Sequence, residues 1–180
     1  HIQASIHKAK ARAVISQAPP KRLGVALAHE YNKTHIAPSV MYATQFVTKE
    51  GGYSTLDKSH NNITAQAFGL MKGPGWWNQA PPLRAQSLQW FRQEMPWSIT
   101  RKQMVLATAA RLVGRQGSLA GKLAATQQKA PTDPLFKEAT QIAQEWGVSM
   151  KFPKKAHRAY KWKRMVAKAA RVQHAKGLHE

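Results

Sequence analysis

The chain has 180 residues, of which 43% are hydrophobic, so it can bury one sizeable core, and we expect one domain rather than two. Its 28 Lys and Arg against 8 Asp and Glu give a formal net charge of +20, which implies an anionic partner. The lack of cysteine excludes disulfides and thiol chemistry, and no apolar run is long enough to cross a bilayer. The chain begins with His1, so we expect a processed product or a fragment.

The first half of the chain is predicted to hold three helices, then a loop and a short extended segment. The helices are expected at residues 2–17, 23–31 and 38–50, the polar loop at 53–62 and the extended segment at 63–72. Pro38 suits the first turn of the third helix, and Gly51 and Gly52 are expected to end it. Glu50 would then lie at the C-terminal end of an apolar helix.

The second half is predicted to be entirely helical. Helices are expected at residues 82–95, from Ser98 to about 115, at 119–128, from Thr132 or Asp133 to before Gly147, and at 155–175. The last of these is strongly basic, with apolar residues at helical spacing along one side. The sequence therefore predicts a mainly α fold with a minor extended segment.

Acidic residues are so rare here that the position of each carries information. Most fit ordinary roles, such as a helix cap at Asp133 or a solvated helix face at Glu138. Glu50 fits less well, because a carboxylate at a helix C-terminus opposes the helix dipole, and the glycines after it open space beside it. Desolvation there would favour the acid form that a general acid needs. A solvated glutamate at a helix end is the competing interpretation.

The local sequence around Glu50 resembles the core signature of lytic transglycosylases and goose-type lysozymes. Glu50 is followed by Gly51-Gly52-Tyr53, then Ser59, then the run Ala67-Phe68-Gly69-Leu70-Met71-Lys72. The resemblance covers residues 36–72, about a fifth of the chain. It implies a lysozyme-like fold and cleavage of the glycan strands of peptidoglycan.

The resemblance also implies roles for individual residues. Glu50 takes the position of the catalytic acid and base. The expected substrate-binding residues are Tyr53, Ser59, Gly69, Leu70, Met71 and Lys72, joined by Trp76, which could stack on a sugar face or pack in the core, as could Trp77. No metal and no organic cofactor is implied.

Three features depart from the family pattern. Lys72 replaces the usual glutamine, the segment between Ser59 and Ala67 is longer, and the downstream tyrosine motif is missing, with Arg111 near its place. In its small size, its basicity and its divergence from the family pattern, the chain is similar to bacteriophage lytic enzymes, including the muramidase of enveloped double-stranded RNA phages. Asp57 could supply a second carboxylate or cap a turn.

Two rival functions remain open. His29-Glu30 invites a zinc peptidase that cleaves peptidoglycan cross-bridges, but the motif needs a second histidine at position 33, which is Lys33. The basic last helix could instead belong to a nucleic-acid or membrane-binding module. Under the favoured interpretation, we expect a monomer that acts in the bacterial periplasm or envelope, or on a virion, and whose basic helices contact an anionic envelope or virion surface.

Overall fold

The computed structural model of the chain confirms a mainly α fold. It describes residues 6–12, 25–42, 44, 52–68, 70, 81–115, 117–149 and 156–177. Its helices are α1 at residues 6–12, α2 (Val25–Tyr31), α3 (Ala37–Met41), α4 (Gly52–Ala67), α5 (Pro81–Gln93), α6 (Trp97–Gly114), α7 (Leu119–Lys129), α8 (Pro134–Trp146) and α9 (Ala156–Gly177). Within the described ranges there is no strand, and no helix is long and apolar enough to cross a membrane.

Contacts within the chain group the described residues into two compact units. Those up to Ser98 form the N-terminal unit, and those from Ile99 onward form the C-terminal unit. Both have cores built by helical spacing, with Ile36, Val40 and Leu56 buried in the first and Phe136 among the buried residues of the second. The expectation of a single domain stays a prediction.

Helices α2 and α3 are joined by a π-helical turn, Asn32–Ile36. The Ala37 N–H donates to the Asn32 carbonyl five residues back, and Pro38 has no N–H with which to continue an α-helical pattern. The run ends at Met41, because Tyr42 has ψ 121° and leaves the helical region. The prediction that the helix beginning at Pro38 continues to Glu50 is therefore wrong.

The structure also corrects the segment after Gly51. Residues 53–62, predicted as a loop, and residues 63–67, predicted as extended, belong to the single helix α4. Leu56, Ile63 and Ala67 are buried at intervals of seven and four residues, which is one face of a helix. Between them, Asn61 and Asn62 are exposed, whereas the polar residues His60 and Thr64 are buried on the same face, so the apolar period is hard to see in the sequence.

Helix boundaries in the C-terminal unit follow the capping signals closely. Ser118 caps α7 by accepting the Gly121 N–H at 3.0 Å, and Asp133 caps α8 by accepting the Leu135 N–H at 2.9 Å. Gly147 ends α8 with φ 62°, the left-handed conformation that favours glycine. The predictions for α8 and for the long basic helix α9 are confirmed.

Candidate functional site

Three of the residues predicted to form the site are described by the structure. Tyr53 and Ser59 lie on α4, and Leu70 follows that helix. The predicted site residues that lie outside the described ranges are Glu50, Gly69, Met71, Lys72 and Trp76.

Tyr53 and Ser59 are both half-buried on α4. Six residues separate them, which places them about 120° apart around the helix axis and about 9 Å apart along it. The helix thus presents them in different directions rather than on one face. The family resemblance, with its serine in a loop, does not foresee this arrangement.

Leu70 closes the C-terminal end of α4. Its N–H donates to the Ala65 carbonyl at 2.8 Å, and the Phe68 N–H donates to the Thr64 carbonyl at 3.0 Å. A bond from residue i to residue i−5 is typical of a helix terminus that turns away from its axis. Leu70 is therefore tied to the end of a helix rather than placed in an extended strand, as the sequence predicts for residues 63–72.

Asp57 has a structural partner within the N-terminal unit. Its carboxylate accepts a hydrogen bond from the Ser98 backbone N–H at 3.0 Å. Ser98 is the second residue of α6, whose first N–H groups have no partner inside the helix, and a carboxylate there also suits the positive end of the helix dipole. Asp57 therefore acts as a cap for α6, supplied by another helix.

A histidine and a carboxylate meet between α2 and the end of α5. His29 Nδ1 is hydrogen-bonded to Glu94 Oε1, and the His29 ring lies 4.9 Å from the Trp90 ring, centroid to centroid. The side chain of Glu94 is only 11% exposed, whereas the Glu30 side chain is 60% exposed and lies 3.9 Å from His29 Nε2. His29 therefore pairs more closely with Glu94, which is 65 residues away in sequence, than with its neighbour Glu30.

His60 is a second histidine that the sequence analysis did not single out. It is 3% exposed on α4, stacked near Phe91 and set edge-on to Trp97 at 5.4 Å between ring centroids. Its Nδ1 lies 3.4 Å from Thr64 Oγ1. The i to i+4 spacing of His60 and Thr64 is visible in the sequence, but their burial follows only from the packing of α4.

The acids of the C-terminal unit are engaged in structural contacts. Glu138 forms a bidentate pair with Arg101, whose side chain is 6% exposed, and Glu145 accepts Lys102 Nζ at 2.8 Å. Asp133 caps α8, so each described acid of this unit already accepts a hydrogen bond. They are therefore poor candidates for a catalytic carboxylate.

Across the described residues, no cluster of three or more histidine or acidic side chains has the arrangement of a metal site. Comparisons of the chain with models of protein families, with curated proteins and with solved structures find no match.

Proposed function

We propose that the chain is a peptidoglycan-degrading enzyme that cleaves the glycosidic bond between N-acetylmuramic acid and N-acetylglucosamine, with Glu50 as acid and base. The observation that carries the proposal is the sequence pattern from Glu50 through Tyr53 to Leu70 and Met71, in the order that lytic transglycosylases and goose-type lysozymes share. Because the helix from Pro38 ends at Met41, the proposal rests on this pattern and not on a helix-end position for Glu50.

In the proposed mechanism, Glu50 donates its proton to the bridging oxygen as the bond to the muramic acid carbon breaks. The acetamide of the substrate stabilises the positive charge on that carbon. Glu50, now a carboxylate, takes a proton from the muramic acid 6-hydroxyl, which attacks the carbon and closes a 1,6-anhydro ring. The role of Asp57 as a cap for α6 favours this one-glutamate route over a lysozyme route with a second carboxylate.

The proposal extends to the setting in which the enzyme works. Small size and a net charge of +20 suit a phage lysin that acts in the periplasm or envelope, during entry or lysis, as a monomer. Peptidoglycan is then its substrate, and neither a metal nor an organic cofactor takes part.

The first prediction is that Glu50→Gln abolishes clearing of purified cell walls while the protein stays folded. The amide keeps the shape of the side chain but removes the proton donor, so we expect a loss of roughly two to four powers of ten. The measurement is the fall in turbidity of a cell-wall suspension, with circular dichroism as the check on folding.

Glu30→Gln is the matched control. It makes the same chemical change at an exposed carboxylate and removes the general base that a His29-Glu30 peptidase would need. We expect near-normal clearing from it. An active, folded Glu50→Gln protein would contradict the proposal, and an inactive Glu30→Gln protein would favour the peptidase.

A further inference from the structure

The exposed side of α9 carries a row of cations, here called the cationic stripe. The stripe consists of Lys161, Arg164, Lys168 and Arg171. Spacings of three, four and three residues keep these side chains on one side of the helix over about 15 Å. The other side is fixed in the C-terminal unit, because Trp162 and Val166 are buried and Trp162 Nε1 donates to the Ser149 carbonyl at 2.9 Å.

None of the acids that the structure describes pairs with the cationic stripe. The sequence has no Asp or Glu between Glu145 and Glu180. The two acids of α8, Glu138 and Glu145, are paired with Arg101 and Lys102. Among the described residues, no ion pair joins a cation of the stripe to a carboxylate. As far as the described part of the chain shows, the stripe therefore presents its positive charge to solvent without an acidic partner.

A shallow depression lies on the same side of α9. Its volume is about 390 Å³, and it is lined by Arg164, Met165, Ala167, Lys168 and Arg171. Guanidinium groups bind phosphate oxygens through paired N–H donors, and an ammonium group adds a point charge. Three cations around one depression thus suit a phosphate group.

Exposed apolar side chains lie beside the cations. Met165 is 41% exposed and Val172 46% exposed, seven residues apart on one side of the helix, and Tyr160 is 63% exposed. Contacts to the phosphates of a nucleic acid use charged and hydrogen-bonding groups and have no need of exposed Met and Val side chains. A lipid surface uses both kinds of group, since cations bind headgroups and apolar or aromatic side chains enter the interface.

We propose that the cationic stripe binds the surface of an anionic phospholipid bilayer, with headgroup phosphates at Arg164, Lys168 and Arg171 and with Met165 and Val172 in the interface below them. The helix lies flat on the bilayer and does not cross it. Binding is independent of the proposed glycosidase, so a folded Glu50→Gln protein should bind vesicles as well as the parent chain does.

The test is sedimentation of the full chain with two kinds of vesicle, one of phosphatidylcholine alone and one of equal parts phosphatidylcholine and phosphatidylglycerol. We expect binding to the anionic vesicles only, weakened at about 1 M salt, where charges are screened beyond about 3 Å. The triple variant Arg164→Gln/Lys168→Gln/Arg171→Gln should bind roughly a hundredfold more weakly, from about 1 kcal/mol per cation.

The matched control is Lys122→Gln/Lys129→Gln/Lys137→Gln, which removes three exposed cations from α7 and α8 and has the same net charge of +17, that is 20 − 3. It should keep most of the binding. Met165→Ser/Val172→Ser keeps every charge and should lower binding to anionic vesicles several-fold, without changing binding to a DNA duplex. Circular dichroism checks that each variant is folded.

Three outcomes would overturn the proposal. Equal losses in the two triple variants would show that net charge, and not the stripe, governs binding. Equal binding to neutral vesicles would remove the electrostatic basis. Displacement of anionic vesicles by a short DNA duplex, together with no effect of the Met165 and Val172 substitutions, would assign the stripe to nucleic acid instead.

Discussion

At the scale of single residues, two substitutions separate the structural role of Asp57 as a cap for α6 from the catalytic role that a lysozyme route would require of it. Asp57→Asn keeps an oxygen that can accept the Ser98 N–H, so stability and wall-clearing activity should both stay near normal. Asp57→Ala removes the acceptor and should lower the free energy of unfolding by about 1 kcal/mol, the usual value of a helix cap. Urea denaturation and the turbidity assay measure the two effects.

The lysozyme alternative makes the opposite prediction for the first of these variants. If Asp57 activated a water molecule, Asp57→Asn would lose activity by orders of magnitude while remaining stable. A stable but inactive Asp57→Asn protein would therefore indicate that Asp57 takes part in catalysis.

Contacts between residues close in sequence can be predicted from the sequence, whereas contacts between distant residues cannot. The sequence predicts Asp133 as a cap, because its acceptor lies two residues from its target, Leu135. The pair of His29 with Glu94 spans 65 residues, and the bond from Ser98 to Asp57 spans 41. No local spacing encodes these partners, which depend on how α2, α4, α5 and α6 pack.

At the scale of elements, α4 can be tested as a helix at its exposed residue Asn61. In a helix interior, Asn61→Ala should stabilise the protein by a few tenths of a kcal/mol, because alanine has the higher helix propensity. Asn61→Pro should destabilise it by about 3 kcal/mol, since the ring removes an N–H and clashes with the preceding turn. Thermal denaturation measures both effects. If the proline variant were as stable as the parent chain, residues 53–62 would have to form a loop rather than a helix.

Helix α9 makes the stability of the protein depend on pH through His174. Burial lowers the pKa of His174 below its usual 6.5, because the charged form is poorly solvated. The unfolded chain then binds more protons than the folded protein just below pH 6.5, so folding stability falls as the pH falls through that window. His174→Gln should reduce this loss of stability, measured by urea denaturation at several pH values. An unchanged pH dependence would contradict it.

Some helices can be predicted from the sequence more accurately than others, and the difference has a physical reason. Helices α7, α8 and α9 carry caps, a terminal glycine or a clear apolar stripe, so their positions were foreseen within a few residues. In α4 the buried face is marked by widely spaced apolar residues between polar ones, so the sequence does not show its helical period clearly. The break at Tyr42 has no glycine or proline to signal it, so the predicted helix ran past it.

At the scale of the whole molecule, we propose separate roles for the positive charge and for Glu50. Under these proposals, the charge attracts the chain to anionic surfaces in a way that salt weakens, whereas bond cleavage depends on one proton donor and its setting. Composition foresees the first but not the second. The mainly α class follows from composition and periodicity, while the proposed glycan substrate rests only on the residues around Glu50.

The most direct test of the central claim is mass spectrometry of purified sacculi digested by the full chain in the presence of a strong chelator. We predict soluble glycan fragments that end in 1,6-anhydro-muramic acid, with no new peptide amines, and no products from Glu50→Gln. Reducing-end fragments would replace the transglycosylase route with hydrolysis. New amino groups on intact glycan strands, or the same products from Glu50→Gln, would contradict the assignment of Glu50 as the acid of a peptidoglycan glycosidase.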